Sequence, residues 1–265
     1  MASVRPAAVA GLFYPGDPKG LRSQVDHLLA AAPQSQIDVA PRLLIVPHAG
    51  YVYSGPIAAR AYRMLIDRDR PTRRFVVIGP SHFVPFSGLA TPGVAAMATP
   101  LGEVPADIEL ISTAEQHTAV AALPEAHSRE HSLEVQLPFL QVAVGEFTAA
   151  LLAVGDVTAA VAADVLGDLI KPGVTGVVSS DLSHYLSYEA ARERDERTAT
   201  AIRRLQAHTI SPGDACGRTA VQAALLLAHD RGWSCRQLEL ANSGDTAGSR
   251  DRVVGYGAFV LGPAS

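Results

Sequence analysis

The side chains best suited to moving protons or holding a metal stand directly behind apolar runs. In RLLIVPHAG, residues 42–50, the run breaks off at Pro47 and His48; RFVVIGPSH, residues 74–82, ends on His82; TGVVSSDLSH, residues 175–184, runs into Asp181 and His184. If those runs are neighbouring strands, imidazoles and a carboxylate meet in one crevice, the raw material of a transition-metal site with an acid/base group beside it. Taken singly, each residue has a plainer role. A lone histidine at a strand end is ordinarily a hydrogen-bonded surface residue, Asp181 fits a turn or a helix N-cap, and Tyr51 and Tyr53 fit loop packing. Repetition at equivalent edges is what favours chemistry over packing.

A second motif competes. HSREH, residues 127–131, matches H-x-x-E-H, in which one helix presents two histidines to zinc and a glutamate as base, so a zinc hydrolase using His127, Glu130 and His131 is an alternative. Its flanks are unfavourable. Pro124 leaves His127 in the first turn, Pro138 interrupts the helix expected over 131–144, and no further carboxylate ligand follows on a second helix.

The elements that must position these residues follow from periodicity. Apolar runs at 42–46, 74–79, 148–154 and 175–180 read as buried strands, with 237–241 and 253–261 closing the chain. Between them, 18–32, 55–66, 158–170, 188–206 and 212–230 carry helical spacing, and residues 89–124 show no clear period. The charges of 188–206 stand four apart, the mark of a solvated face. Strands alternating with helices predict an α/β fold, a mostly parallel central sheet with helices on both faces, in which ligands bind beyond the carboxyl ends of the strands. We expect one domain spanning 1–265.

Composition bounds the function. The chain has 265 residues, 48% hydrophobic and 18% charged, with a net charge of -4, and its Lys and Arg are scattered, so no nucleic-acid partner is expected. No apolar run is long enough to span a membrane, and the apolar stretch near the N-terminus is closed by Tyr14, Pro15 and Gly16, too short for a signal peptide. Two cysteines, Cys216 and Cys235, make no disulfide framework, although one bridge between them remains open. A reducing cytoplasm is the expected location.

VPHAGYVYSG, IGPSHF, EHSLEVQLPFL, SSDLSHY, ACGR and VGYGA, in this order and after an opening AVAGLFYP, resemble the Memo-like family, whose prokaryotic members are often labelled AmmeMemoRadiSam system protein B. The resemblance covers nearly the whole chain. It implies a fold similar to the catalytic subunit of class III extradiol ring-cleaving dioxygenases, which hold non-haem iron(II) with two histidines and a glutamate. By position it implies His48 and His82 as metal ligands, His184 as an acid/base residue beside Asp181, and Cys216 where the dioxygenases have the glutamate. It also begins its own motif at Glu130, leaving His127 outside.

The resemblance to the two-histidine, one-carboxylate site makes iron(II) the first expectation, the softer thiolate adds copper or zinc as alternatives, and ring cleavage does not follow from the fold. A helix start at Cys216 would lower its thiol pKa toward the ligating form. The expectation is metal-dependent redox or oxidoreductase chemistry on a small-molecule ligand or oxygen. The rival is a non-enzymatic binding or signalling module with protein partners that keeps a vestigial pocket, as the resemblance to eukaryotic members suggests.

Overall fold

A computed structural model describes residues 3–33, 39–66 and 73–264. Strand β1 (Val4–Arg5) precedes helix α1 (Pro18–Ala31), where Asp17 caps the first turn by accepting from Gly20 N, and Leu21, Val25 and Leu29 are buried. Strand β2 (Leu43–Val46) is buried throughout and feeds α2 (Tyr51–Tyr62), which begins four residues earlier than the alanine-rich periodicity indicates because the VPHAG turn leads straight into it. β3 (Arg74–Pro80) follows. The aperiodic stretch then forms β4 (Leu89–Thr91), β5 (Ala96–Thr99), β6 (Gly102–Pro105), α3 (Ile108–Ala114), β7 (Val120–Ala122) and α4 (Pro124–Ser128). Pro138 does not kink a helix: it lies in the first turn of α5 (Leu137–Val144), where its missing N–H costs nothing.

The remaining elements are β8 (Thr148–Val154), α6 (Ala159–Leu169) capped by Thr158, β9 (Val174–Ser179), β10 (His184–Leu186), α7 (Tyr188–Arg203), α8 (Arg218–Asp230), β11 (Ser234–Asn242) and β12 (Val253–Gly262). Among the described residues nine strands form one sheet in the order β10-β12-β2-β9-β3-β8-β4-β7, with β11 paired to β12, while β1, β5 and β6 form a small sheet of their own. The sheet is mixed. Its centre, β2-β9-β3-β8, is parallel, and antiparallel pairs flank it at β12-β2 and β8-β4.

Alternation along the central strands builds a core on each face. Leu44, Val46, Phe75 and Val77 pack with residues of α1, α2 and α5; Leu43, Ile45, Val76 and Ile78 pack with residues of α3, α6, α7 and α8. Both faces are therefore covered by helices, and the parallel strands β2, β3 and β9 end on the same side. No helix among the described residues is long and apolar enough to cross a membrane.

Candidate metal centre

The carboxyl ends of β2, β3 and β9 carry the predicted residues to one place. His48, His82, Asp181 and His184 all line a cavity of about 690 Å³, and His131 lines it with them. One nitrogen from each of His48, His82 and His131 lies within 4.8 Å of the others. The His82 and His131 rings stack with centroids 4.9 Å apart, and the His48 ring stands edge-on to both, at 5.2 and 5.6 Å.

Hydrogen bonds decide which nitrogen of each ring is free. Ser179 Oγ donates to Ser132 O (2.6 Å) and accepts from Gln136 Nε2 (2.8 Å). With its one proton committed, it can only accept from His48 Nδ1 at 2.9 Å, which leaves Nε2 of His48 with the lone pair. Gln136 is itself oriented, because Tyr62 Oη donates to its carbonyl oxygen and its amide also donates to Pro47 O. At His82, Nδ1 donates to Glu130 Oε1 (2.9 Å), again freeing Nε2. A carboxylate behind a ring N–H fixes the tautomer and strengthens the other nitrogen as a donor.

Glu130 is buried, and it also accepts from the backbone N–H groups of His82 (2.5 Å), His131 (2.9 Å) and Ser132 (2.8 Å). Burial alone would raise its pKa; the hydrogen bonds and charge of His82 outweigh that and hold it at about 2. Burial keeps the pKa of His48 well below the usual histidine range, with His82 and His131 adding to the effect, and burial lowers that of His131 as well. Those two rings are neutral at neutral pH, as ligands must be.

Asp181 is buried with its carboxyl pKa raised by burial, and it accepts from the N–H of His48 (2.8 Å) and from Ala49, so it holds the loop that carries His48 rather than a ring. His184 Nδ1 donates to Leu182 O (2.8 Å), leaving Nε2 for proton exchange. Cys216 Sγ stands 3.3 Å from His48 Nε2 and accepts from Asp181 N (3.3 Å), and it lines a second cavity of about 350 Å³ rather than the one the histidines share. It is not in the group whose nitrogens converge. The expected low thiol pKa is reversed. Burial first, then the charge of Asp181, pushes it up to about 12, and α8 begins only at Arg218. Both cysteines are free thiols.

HSREH does not act as a helical pair of ligands. Helix α4 ends at Ser128, His127 is buried with Nε2 on Ala90 O (2.8 Å), and Arg5 donates to the His127 and Glu130 carbonyls. Only His131 of the motif reaches the cluster, and Glu130 serves as an orienting carboxylate. Of the two tyrosines read as packing, Tyr51 is buried with its hydroxyl on Val135 O, whereas Tyr53 lines the cavity.

Comparison with known proteins bears directly on this arrangement. The profile of the family described as Memo-like protein matches residues 5–260. The chain belongs to the Memo-like protein family. Its relatives include MEMO1 family proteins of Methanopyrus kandleri (33% identical, 97% of this chain and 98% of the relative), Sulfolobus acidocaldarius (35%, 96% and 97%) and Aquifex aeolicus (36%, 96% and 97%). Coverage this complete means that β2, β3 and β9 and the loops that carry the cluster all fall inside the shared region.

In the sequence His131 stands out only as a partner of His127 in HSREH, and its place beside His48 and His82 is what the strand-end rule does not give. It follows no strand, so the rule that located His48, His82 and His184 passes over it; its signal is the EHSLE segment, whose Glu130 and His131 both face the site.

Proposed function

We propose that the chain is a metal-dependent redox protein whose mononuclear site is formed by His48, His82 and His131 and which acts on a small molecule held in the adjoining cavity. The observation that carries this reading is the pair of committed Nδ1 protons, on Ser179 and Glu130, which leave two imidazole lone pairs free beside a third ring. Neutral imidazoles suit iron, copper and zinc; we assign iron(II) first, copper second and zinc third. When bound, such an ion would supply a Lewis-acidic, electron-exchanging centre at the cavity wall.

The chain's own residues then have distinct tasks. Glu130 and Ser179 hold two rings in a fixed tautomer, and Asp181 holds the His48 loop. His184 lines the same cavity with Nε2 unengaged, and so can take a proton from a ligand or return one. The neutral Cys216 thiol can donate to His48 Nε2, and after losing that proton its sulfur would offer a soft donor beside the ring.

The test is elemental analysis of untagged protein purified without oxygen, followed by cycles of ascorbate and oxygen watched by electron paramagnetic resonance. Iron or copper that changes oxidation state reversibly supports the proposal. Zinc alone, or no stoichiometric metal, removes its redox half.

A further inference from the structure

The cavity also carries a charge that the metal reading does not use. Two arginines stand two residues apart before β12, and among the described residues only one is occupied: Arg250 lies over the Tyr188 ring at 4.4 Å and donates to Gly244 O (3.5 Å). Arg252 is exposed and lines the histidine cavity, and among the described residues no hydrogen bond, ion pair or ring contact holds its guanidinium. Asp181, the acid lining that cavity, is already taken by the N–H groups of His48 and Ala49 and does not neutralise it.

The same cavity is also lined by exposed apolar side chains. Leu12 is 80% exposed, Tyr53 39% and Tyr185 67%. Tyr185 sits at φ 57°, in the left-handed region that a tyrosine adopts only under constraint, at the register shift between β10 and β12. Such strain in a residue lining a ligand cavity marks a side chain held for use. Its ring lies 5.8 Å from that of His184.

We infer that Arg252 is the anion anchor of this site and that the ligand is a small organic carboxylate with a flat apolar body, its carboxylate on the guanidinium and its body against Tyr53 and Tyr185. The inference rests on the reading of this cavity as the reaction site. A guanidinium fork matches a carboxylate through two parallel N–H···O bonds. A phosphoryl dianion is ordinarily gathered by several converging donors, such as the amides of a helix start, whereas the lining of this cavity supplies one guanidinium together with aromatic side chains. An amphipathic ligand of this type engages both kinds of lining at once.

The experiment is a ligand-observed NMR titration of the parent, Arg252→Gln and Arg250→Gln with benzoate, benzamide, acetate and phenylphosphonate. Each is run on metal-free and on iron(II)-reconstituted protein. In the metal-free chain, benzoate affinity should fall about tenfold or more in Arg252→Gln, the loss expected for a charge-assisted pair, and stay within about twofold in Arg250→Gln. Benzamide should bind all three alike, and acetate more weakly than benzoate. Benzoate binding that is absent from the parent, or equal in parent and Arg252→Gln, would overturn the anchor. Acetate as tight as benzoate overturns the apolar-body half, and tighter phenylphosphonate overturns the carboxylate assignment. Because the arginine effect is read without metal, a failure of the metal reading leaves it standing and separately visible.

Discussion

Replacing Glu130 with Gln changes no shape and removes one charge, so its consequences can be worked from the contacts. Oε1 accepts from His82 Nδ1, His131 N and Ser132 N, and Oε2 accepts from His82 N. An amide keeps one acceptor. Its oxygen would stay with the three donors at Oε1, which sets the NH2 group against the His82 N–H, donor to donor. An unsatisfied buried donor costs about 1–3 kcal/mol, and the bonds that remain lose their charge assistance. The carboxyl pKa gives an independent measure: a fall from 4.5 to about 2 is worth roughly 3 kcal/mol at 1.36 kcal/mol per decade. We therefore expect Glu130→Gln to destabilise the metal-free protein by about 2–4 kcal/mol near neutral pH. Since the folded pKa is depressed, the contribution is complete above 4.5 and is lost as pH falls through about 2, so the gap between parent and variant should narrow in acid. Urea denaturation at about pH 7 and about pH 3 reads this. With His82 no longer held, iron(II) affinity by anaerobic competition titration should drop about 10–100-fold. A destabilised variant that binds iron(II) within about threefold of the parent would refute the claim that this carboxylate prepares His82 for a metal.

Three further outcomes follow from the same contacts. His127→Ala should cost about 2–3 kcal/mol in urea denaturation, through its lost bond to Ala90 O and the cavity it leaves, with metal affinity unchanged, whereas His131→Ala should do the reverse. Asp107 bonds Arg74, Thr148 Oγ1 and Leu110 N; burial opposes its ionisation, yet these partners hold its pKa at about 2 rather than 3.8. Its contribution is present above 3.8 and lost as pH falls through about 2, so Asp107→Asn should flatten the acid limb of the stability profile; an unchanged limb would contradict it. Cys216→Ser should cost copper(I) about tenfold and iron(II) less than about threefold in competition titrations, and equal losses would deny the sulfur its soft-donor role.

What could be read in the sequence divides along physical lines. β8 and α6 stand where periodicity puts them, because TAALLAV is apolar without interruption and Thr158 caps the helix that follows. The strand-end rule gathered His48, His82, Asp181 and His184, since parallel neighbours must end on one side. Residues 89–124 gave no period because their strands are three or four residues long, too short for alternation to register. Pro138 looked like a break because a proline reads the same inside a helix and in its first turn; the short turn over Glu134–Gln136 before it is what separates the cases. His131 and Glu130 are visible in HSREH, but the motif assigns them to the wrong partner, His127, for another reason. Their roles depend on pairing with His82 across 48 residues of sequence, and no local spacing encodes that contact.

The most direct test of the account is X-ray absorption at the iron edge of anaerobically reconstituted, untagged protein. Three converging imidazoles predict one iron(II) per chain with a light-atom shell that contains three histidine rings and no sulfur. A shell of two histidines and one sulfur would instead select His48, His82 and Cys216 and remove His131 from the centre, and the absence of stoichiometric iron would contradict the site as drawn.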